Sequence, residues 1–373
     1  MSNNTNTQID LIKELDKNKL SENIVFSPIG IEMVLSLLSN GAEGRTQKEI
    51  LNFLNYKSLE EANEKSKEIK DELEKNSEII KMANAILTKE KAKEPFIKTG
   101  KEKYDANIEV LDNYRNVNEW ARNKTKNNIN KIIDSIHPDV IMVLLNALYF
   151  EAFWEIKFDQ NDSKFQPFYN FEEEKNKVNI TMMILRGTLL NYYENDFFQA
   201  VKLNYQKPGS FNSIVILPKK GYGINNLISQ FNSQEYEDLI EGLKNKEKVN
   251  LFLPKFELEF KAEISDLLKS LKIVKAFGMD AEFKGICDKS PIHINQVLQK
   301  NYINVNEEGT QAASITELEV ILESFKDKDP NAKDFIAERP FLFLIRDDAL
   351  PKGRDILFFT KLCQFNDPDD RDF

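Results

Sequence analysis

One segment restricts the folds open to this 373-residue chain more than any other. From Asn304 to Thr316 it reads Asn-Val-Asn-Glu-Glu-Gly-Thr-Gln-Ala-Ala-Ser-Ile-Thr, a run of small residues behind a lone glycine. Taken every second residue from Thr310, one face carries Thr310, Ala312, Ser314, Thr316, Leu318, Val320 and Leu322. All are small or apolar, as a strand entering a buried sheet requires. The other face carries Gln311, Ala313, Ile315, Glu317, Glu319, Ile321 and Glu323, mostly fit for water. No proline and no inward-facing charge interrupts Thr310 to Leu322, and Gly309 gives the start of the run backbone freedom. On its own, Glu-Glu-Gly-Thr before alanines also fits a helix end with a glycine cap and a solvated loop.

The rest of the chain reads as helices first and strands later, an α+β order rather than a βαβ repeat. Ile9, Leu11, Ile12 and Leu15 begin one amphipathic helix, and Ile31, Val34, Leu35 and Leu38 another. Residues 58–75 carry mixed charges at helical spacing, and Asn116 to Ile133 is helical in pattern. Met82 to Thr88 alternates as a strand does, and Val140 to Leu148 is apolar enough for a strand buried on both faces. Further helices are expected over Ile224 to Gln230, Glu235 to Leu243 and Ile264 to Leu271. With no Pro/Gly/Ser-rich linker and no repeat, residues 1–373 read as one domain.

Composition excludes several function classes. The net charge of −10 argues against nucleic-acid binding, which needs a basic face. The first residues lack an apolar run and no stretch is long enough to span a membrane, so a cytoplasmic chain is expected, released outside only by a route without a classical signal. In that setting the sequons at Asn123, Asn161 and Asn179 are idle, and Cys287 and Cys363 read as reduced structural thiols. His137 and His293 are the only histidines, neither in metal-ligand spacing nor beside a nucleophile, and no phosphate-binding or hydrolase motif occurs. No catalytic residue, metal or cofactor is expected, and the chain does not read as an enzyme.

An ordered set of segments resembles the serpin family over nearly the whole length. The set begins with Asn23-Ile24-Val25-Phe26-Ser27-Pro28-Ile29-Gly30-Ile31 and Leu35-Ser36-Leu37-Leu38-Ser39-Asn40-Gly41-Ala42. It continues with Leu145-Asn146-Ala147-Leu148-Tyr149-Phe150-Glu151-Ala152-Phe153-Trp154, Met182-Met183, Ile214-Val215-Ile216-Leu217-Pro218 and Leu253-Pro254-Lys255-Phe256. Arg339-Pro340-Phe341-Leu342-Phe343, about two dozen residues beyond the small-residue run, completes it. The resemblance implies a serpin fold, three β-sheets with about nine helices and an exposed reactive-centre loop, here with hinge and loop together at about 307–338. It also implies a suicide inhibitor of a chymotrypsin-fold serine protease that ends as a covalent complex, with the inhibitor itself a monomer. A non-inhibitory storage, carrier or chaperone-like serpin, or a cross-class inhibitor of cysteine proteases, stays open. Heparin activation is not expected, because residues 58–75 are not basic.

Carried over residue by residue, the resemblance makes Glu307, Glu308, Gly309, Thr310, Ala312, Ala313 and Ser314 the hinge. Counting about fourteen residues forward from Gly309 puts the reactive bond between Glu323 and Ser324, while counting back from Phe335 lands nearer Lys326. Leu322, Phe325 and Lys326 remain alternatives for the residue before the cut. The control point beneath the sheet, which in the family holds two serines, an asparagine and a histidine, here reads Ser27, Gly30, Asn146 and Gln299. The chain departs from the pattern at Gly30 and Gln299, and Gln299 can donate and accept as a histidine does. Asp348 to Asp355 reads as an enlarged turn.

Overall fold

The computed structural model describes residues 6–288, 291–310 and 328–366, and among these the chain forms nine α-helices and sixteen strands. The apolar spacings at the start become the helices Thr7–Lys17 and Pro28–Ser39. Asn6 caps the first by accepting from the backbone of Gln8 and Ile9, and Ser27 caps the second ahead of a proline at its first turn. Pro28–Ser39 is buried on every side, which explains why its sequence is apolar all round rather than striped. Leu59–Lys75, Ile224–Gln230 and Ser233–Gly242 follow the expected helical stretches closely. The last begins with a capping box between Asn232 and Glu235.

One expectation is corrected. The helix read over Asn116 to Ile133 is Tyr114–Lys124 and stops there. Lys126 and Asn127 take left-handed φ of 49° and 67°, which break the helical path. Ile129, Ile132 and Ile133 nevertheless remain buried, because Asn118 accepts from the backbone of Ile132 and Ile133 and donates to the Ile133 carbonyl. Periodicity reported their burial correctly and their conformation wrongly.

The hydrogen-bond ladders form a seven-stranded and a nine-stranded sheet. The second unites two of the three expected sheets, because the long strand Lys177–Glu194 belongs to both. Its first residues pair with Lys164–Tyr169, residues 182–191 pair with Lys246–Pro254, and its last four residues pair with Phe198–Asn204. Lys246–Pro254 also carries the short parallel edge strand Lys333–Ile336.

The seven-stranded sheet positions the candidate site. Its centre is Met142–Phe150, buried at all nine positions, with Ile80–Thr88 antiparallel on one side and Gln296–Val305 parallel on the other. Phe256–Glu263 closes the far edge against Gln296–Val305. Cys287 and Cys363 are buried and unbridged. Residues 348–355 form the turn between Phe341–Asp347 and Ile356–Leu362.

Candidate functional site

The site is a seam between two neighbouring strands. Met142–Phe150 and Gln296–Val305 pair in parallel from Val143/Gln296 to Leu148/Asn301. Such a pair is somewhat weaker per residue than an antiparallel one. All other ladders of this sheet except that of the edge strand Ala106–Val110 are antiparallel.

Beneath the middle of the seam lies a buried polar row. Asn84, Asn146 and Gln299 occupy facing positions on three adjacent strands. Asn146 donates through Nδ2 to Asn84 Oδ1 at 2.7 Å, and Gln299 donates through Nε2 to Asn146 Oδ1 at 2.7 Å. Gln299 also grips Ser27, accepting from its N–H at 2.8 Å and donating to its carbonyl at 2.8 Å. Asn301 donates to Gln299 Oε1 at 2.8 Å and to the Val25 carbonyl at 3.0 Å. A glutamine here has both the donor and the acceptor that the geometry uses.

Gly30 completes the row by being absent from it. A Cβ at this position would lie 2.2 Å from Asn146 Oδ1. The Asn146 amide occupies the space that a side chain on Gly30 would take, while the Gly30 N–H donates to Ser27 Oγ at 3.3 Å. All four expected control residues therefore meet, and sequence reasoning missed Asn84 and Asn301. A lone asparagine inside the apolar run Ala83-Asn84-Ala85-Ile86 was the available signal.

One end of the seam is occupied by the expected hinge residues Gly309 and Thr310. Gly309–Thr310 pairs antiparallel with Gln296–Val305, at Val305, and antiparallel with Ala152–Phe153, which follows the central strand. The glycine is required by close approach, not by a left-handed backbone: its Cβ would meet the Ala152 carbonyl oxygen at 2.0 Å. Thr310 is buried, and its hydroxyl lies 2.6 Å from the Tyr205 phenol, which also reaches Ser213 at 2.5 Å. Burial pushes that phenol well above its usual range, so it stays a hydroxyl able to donate.

Trp154 secures the approach to the hinge. Its ring stacks on Tyr205 at 4.5 Å, its indole N–H donates to the Asn306 carbonyl at 2.9 Å, and its backbone N–H donates to the Glu308 carbonyl at 2.9 Å. Asn306 Oδ1 accepts from Glu308 and Gly309, turning the chain toward the seam. Glu307 is buried, with Ser163 and Lys255 on its carboxylate, whereas Glu308 pairs with Lys157 at the surface. Ala312, Ala313, Ser314 and the candidate reactive-bond residues Leu322, Glu323, Ser324, Phe325 and Lys326 lie outside the described residues.

A chain continuing from Thr310 along the seam would run antiparallel to both neighbours and replace one parallel ladder by two antiparallel ones. No catalytic machinery is needed for this. Among the described residues no group of three or more His, Cys, Asp or Glu could hold a metal ion, and no helix is long and apolar enough to cross a membrane.

The family model described as Serpin (serine protease inhibitor) matches residues 2–365. The chain belongs to the serpin family. An uncharacterized serpin-like protein of the archaeon Methanosarcina acetivorans is 30% identical, the match covering 91% of this chain and 81% of that one. Among solved structures, Serpin48 of the insect Tenebrio molitor, described as a highly specific serpin, superposes with a TM-score of 0.82 at 28% identity. That match covers 97% of this serpin and 96% of Serpin48. Thyroxine-binding globulin in complex with thyroxine superposes with a TM-score of 0.84 at 22% identity, covering 97% and 98% of the two chains. At that identity the likeness shows the fold alone.

Proposed function

We propose that this serpin inhibits a chymotrypsin-fold serine protease as a suicide substrate, the whole chain working as one domain. The observation that carries this reading is the hinge already seated at one end of the parallel seam, antiparallel to both of its neighbours. The protease serine attacks a loop carbonyl, the peptide C–N bond breaks, the amine leaves with a proton, and an ester to the protease remains. The freed chain from Thr310 to about Leu322 then enters the seam with its small, apolar face inward. At about 3.3 Å per residue the attached protease moves roughly 40 Å, and distortion of its oxyanion hole stops deacylation. We place the reactive bond after Glu323, with Leu322, Phe325 and Lys326 as the other choices.

Incubation with a panel of serine proteases, read on a denaturing gel, tests the reading. A covalent complex of the two chains is the expected result, and mass spectrometry of the released C-terminal fragment should give Ser324 as its first residue. Clean cleavage by every protease that cuts the loop, with no complex, would overturn the inhibitor reading. A fragment starting elsewhere would move only the reactive bond.

A further inference from the structure

The seam is also closed at the end far from the hinge. There the Asn295 side chain accepts through Oδ1 from the backbone N–H of Ile141 at 2.7 Å and from that of Met142 at 3.2 Å. The Asn295 N–H donates in turn to the Met142 carbonyl at 2.9 Å. These bonds form a clasp between the starts of Met142–Phe150 and Gln296–Val305, one position before the parallel ladder begins at Val143/Gln296. Met142 is buried, and Ile141 and Asn295 are half-buried. We infer that Asn295 is a late brake on strand insertion, a positioning residue that governs the last stretch of the protease's path. The inference rests on the inhibitor reading above.

Each half of the clasp is tied to a different part of the molecule. The Ile141 carbonyl accepts from the Lys89 N–H at 2.8 Å, directly beyond Ile80–Thr88. On the other half, the Ile294 N–H donates at 2.9 Å to the Ala276 carbonyl in the single turn Lys275–Phe277. Neither half is free to follow the other as the strands part. An entering strand brings a ladder of its own for the backbone groups, but the two bonds to Asn295 Oδ1 must be given up first.

Register fixes when the clasp is met. Thr310 faces Ala152 on one side and Val305 on the other, so each further residue moves one position back along both antiparallel neighbours. Position 316 then falls between Asn146 and Gln299, which already face one another, so the two registers agree. Position 320 falls between Met142 and Asn295. By then the chain has advanced about ten residues, roughly 33 Å of the roughly 40 Å path. Until the path is complete the ester stays open to water, which adds to its carbonyl and releases the protease serine with its proton. A slow last stretch therefore favours free protease and spent inhibitor over the trapped complex.

Trapping rates of Asn295 variants under saturating protease, read on denaturing gels after rapid quenching, test the inference. Asn295→Ala removes both side-chain bonds and should form complex about fivefold faster than the parent, the factor expected for one lost hydrogen bond. Asn295→Asp keeps an acceptor for both N–H groups and should trap no faster than the parent. Cooperative melting of the uncut variants shows that they fold. If Asn295→Ala does not, Asn295→Leu, similar in size and without an acceptor, takes its place with the same expectation. A residue with only a structural role would give a less stable variant that traps at the same rate or more slowly. That result would overturn the proposal, as would faster trapping by Asn295→Asp. If the parent forms no complex with any protease that cuts its loop, the inhibitor reading fails separately, and the brake is read from the cut protein alone. Its gain in heat stability should then be about fivefold faster in Asn295→Ala. Equal rates, or no gain, would overturn the brake as well.

Discussion

The middle of the seam and its hinge end are held shut in different ways. Its middle is closed by a direct ladder reinforced by side-chain amides, in which Gln299, Asn146, Asn84 and Ser27 satisfy one another across three strands and the helix below. Its hinge end is closed by the incoming chain itself, with Thr310 between strands and the Trp154–Tyr205 stack packed at its approach. Opening the first costs buried amide contacts before anything replaces them. Extending the second exchanges one ladder for two. Insertion is thus expected to start at the hinge and to be resisted at the polar row.

The largest effect should come from placing a charge at the hinge end. Thr310→Arg would require an unpaired guanidinium where Thr310 is now buried, at about 3–5 kcal/mol. The variant should be cut by the target protease without forming a covalent complex. Undiminished complex on the denaturing gel would mean that the hinge end does not lead insertion.

At the polar row, Gln299→Ala removes partners from Ser27, Asn146 and Asn301 together and should cost about 2–4 kcal/mol in urea unfolding. Gly30→Ala should act on the same row from the other side. Its Cβ would displace the Asn146 amide, at about 1–3 kcal/mol. Both variants should lose complex-forming activity on storage faster than the parent. If they are as durable, the polar row is not what resists opening.

A pH series sharpens the comparison, because the helix beneath the polar row carries Glu32, two residues beyond Gly30. Burial pushes this carboxyl up to about 7 from its ordinary 4.5, against the pull of Arg354, 3.2 Å away, and with the push of Asp355. Between those two values the folded protein keeps a proton that the unfolded chain has released. The group's contribution to stability therefore falls as pH rises from about 4.5 to about 7 and is level above, a change on the order of 3 kcal/mol. Urea midpoints at pH 5 and pH 8 should differ less in Glu32→Gln than in the parent. An unchanged difference would show that Glu32 does not titrate in this window.

The smallest effect is expected from Tyr205→Phe, which removes one hydroxyl from Thr310 and Ser213 but keeps the ring on Trp154. About 1 kcal/mol of stability should be lost, with complex formation retained. A loss as large as that of Gln299→Ala would erase the difference between the hinge end and the polar row.

Much of this was legible in the sequence, for physical reasons that differ by residue. The central strand could be read because burial on both faces demands a continuous apolar run, and Met142–Phe150 is that run. The control residues could be placed through the ordered resemblance, although why position 30 is a glycine could not. The reason is the Asn146 amide, a contact between a helix and a strand more than a hundred residues apart. At Gly309 the structure adds a close approach to the Ala152 carbonyl beside the backbone freedom read from the sequence, and the two leave the same letter. Asn84 and Asn301 went unread because a single polar residue in a strand does not announce which neighbour it faces. The helix read past Lys124 failed because periodic burial persists through a chain that Lys126 and Asn127 have already turned.

The short edge strand Lys333–Ile336 sets a limit on what the uncut chain can do. Thr310 and residue 329 are anchored at the same end of the molecule: Lys157, which pairs with Glu308, lines one cavity together with Gly187 and Asp329. The intervening chain is a tether fixed at both ends. Laying residues 311–322 along the seam would carry residue 322 roughly 40 Å away, while residues 323–328 can reach back only roughly 20 Å. For the proposed insertion, an uncut chain of this length would have slack to fill only part of the seam. To go further it must either be severed or pull Lys333–Ile336 off its ladder from Val249 to Phe252. On the proposed insertion, the shelf life of the uncut protein would depend on four paired residues in a different sheet from the one that would receive the strand.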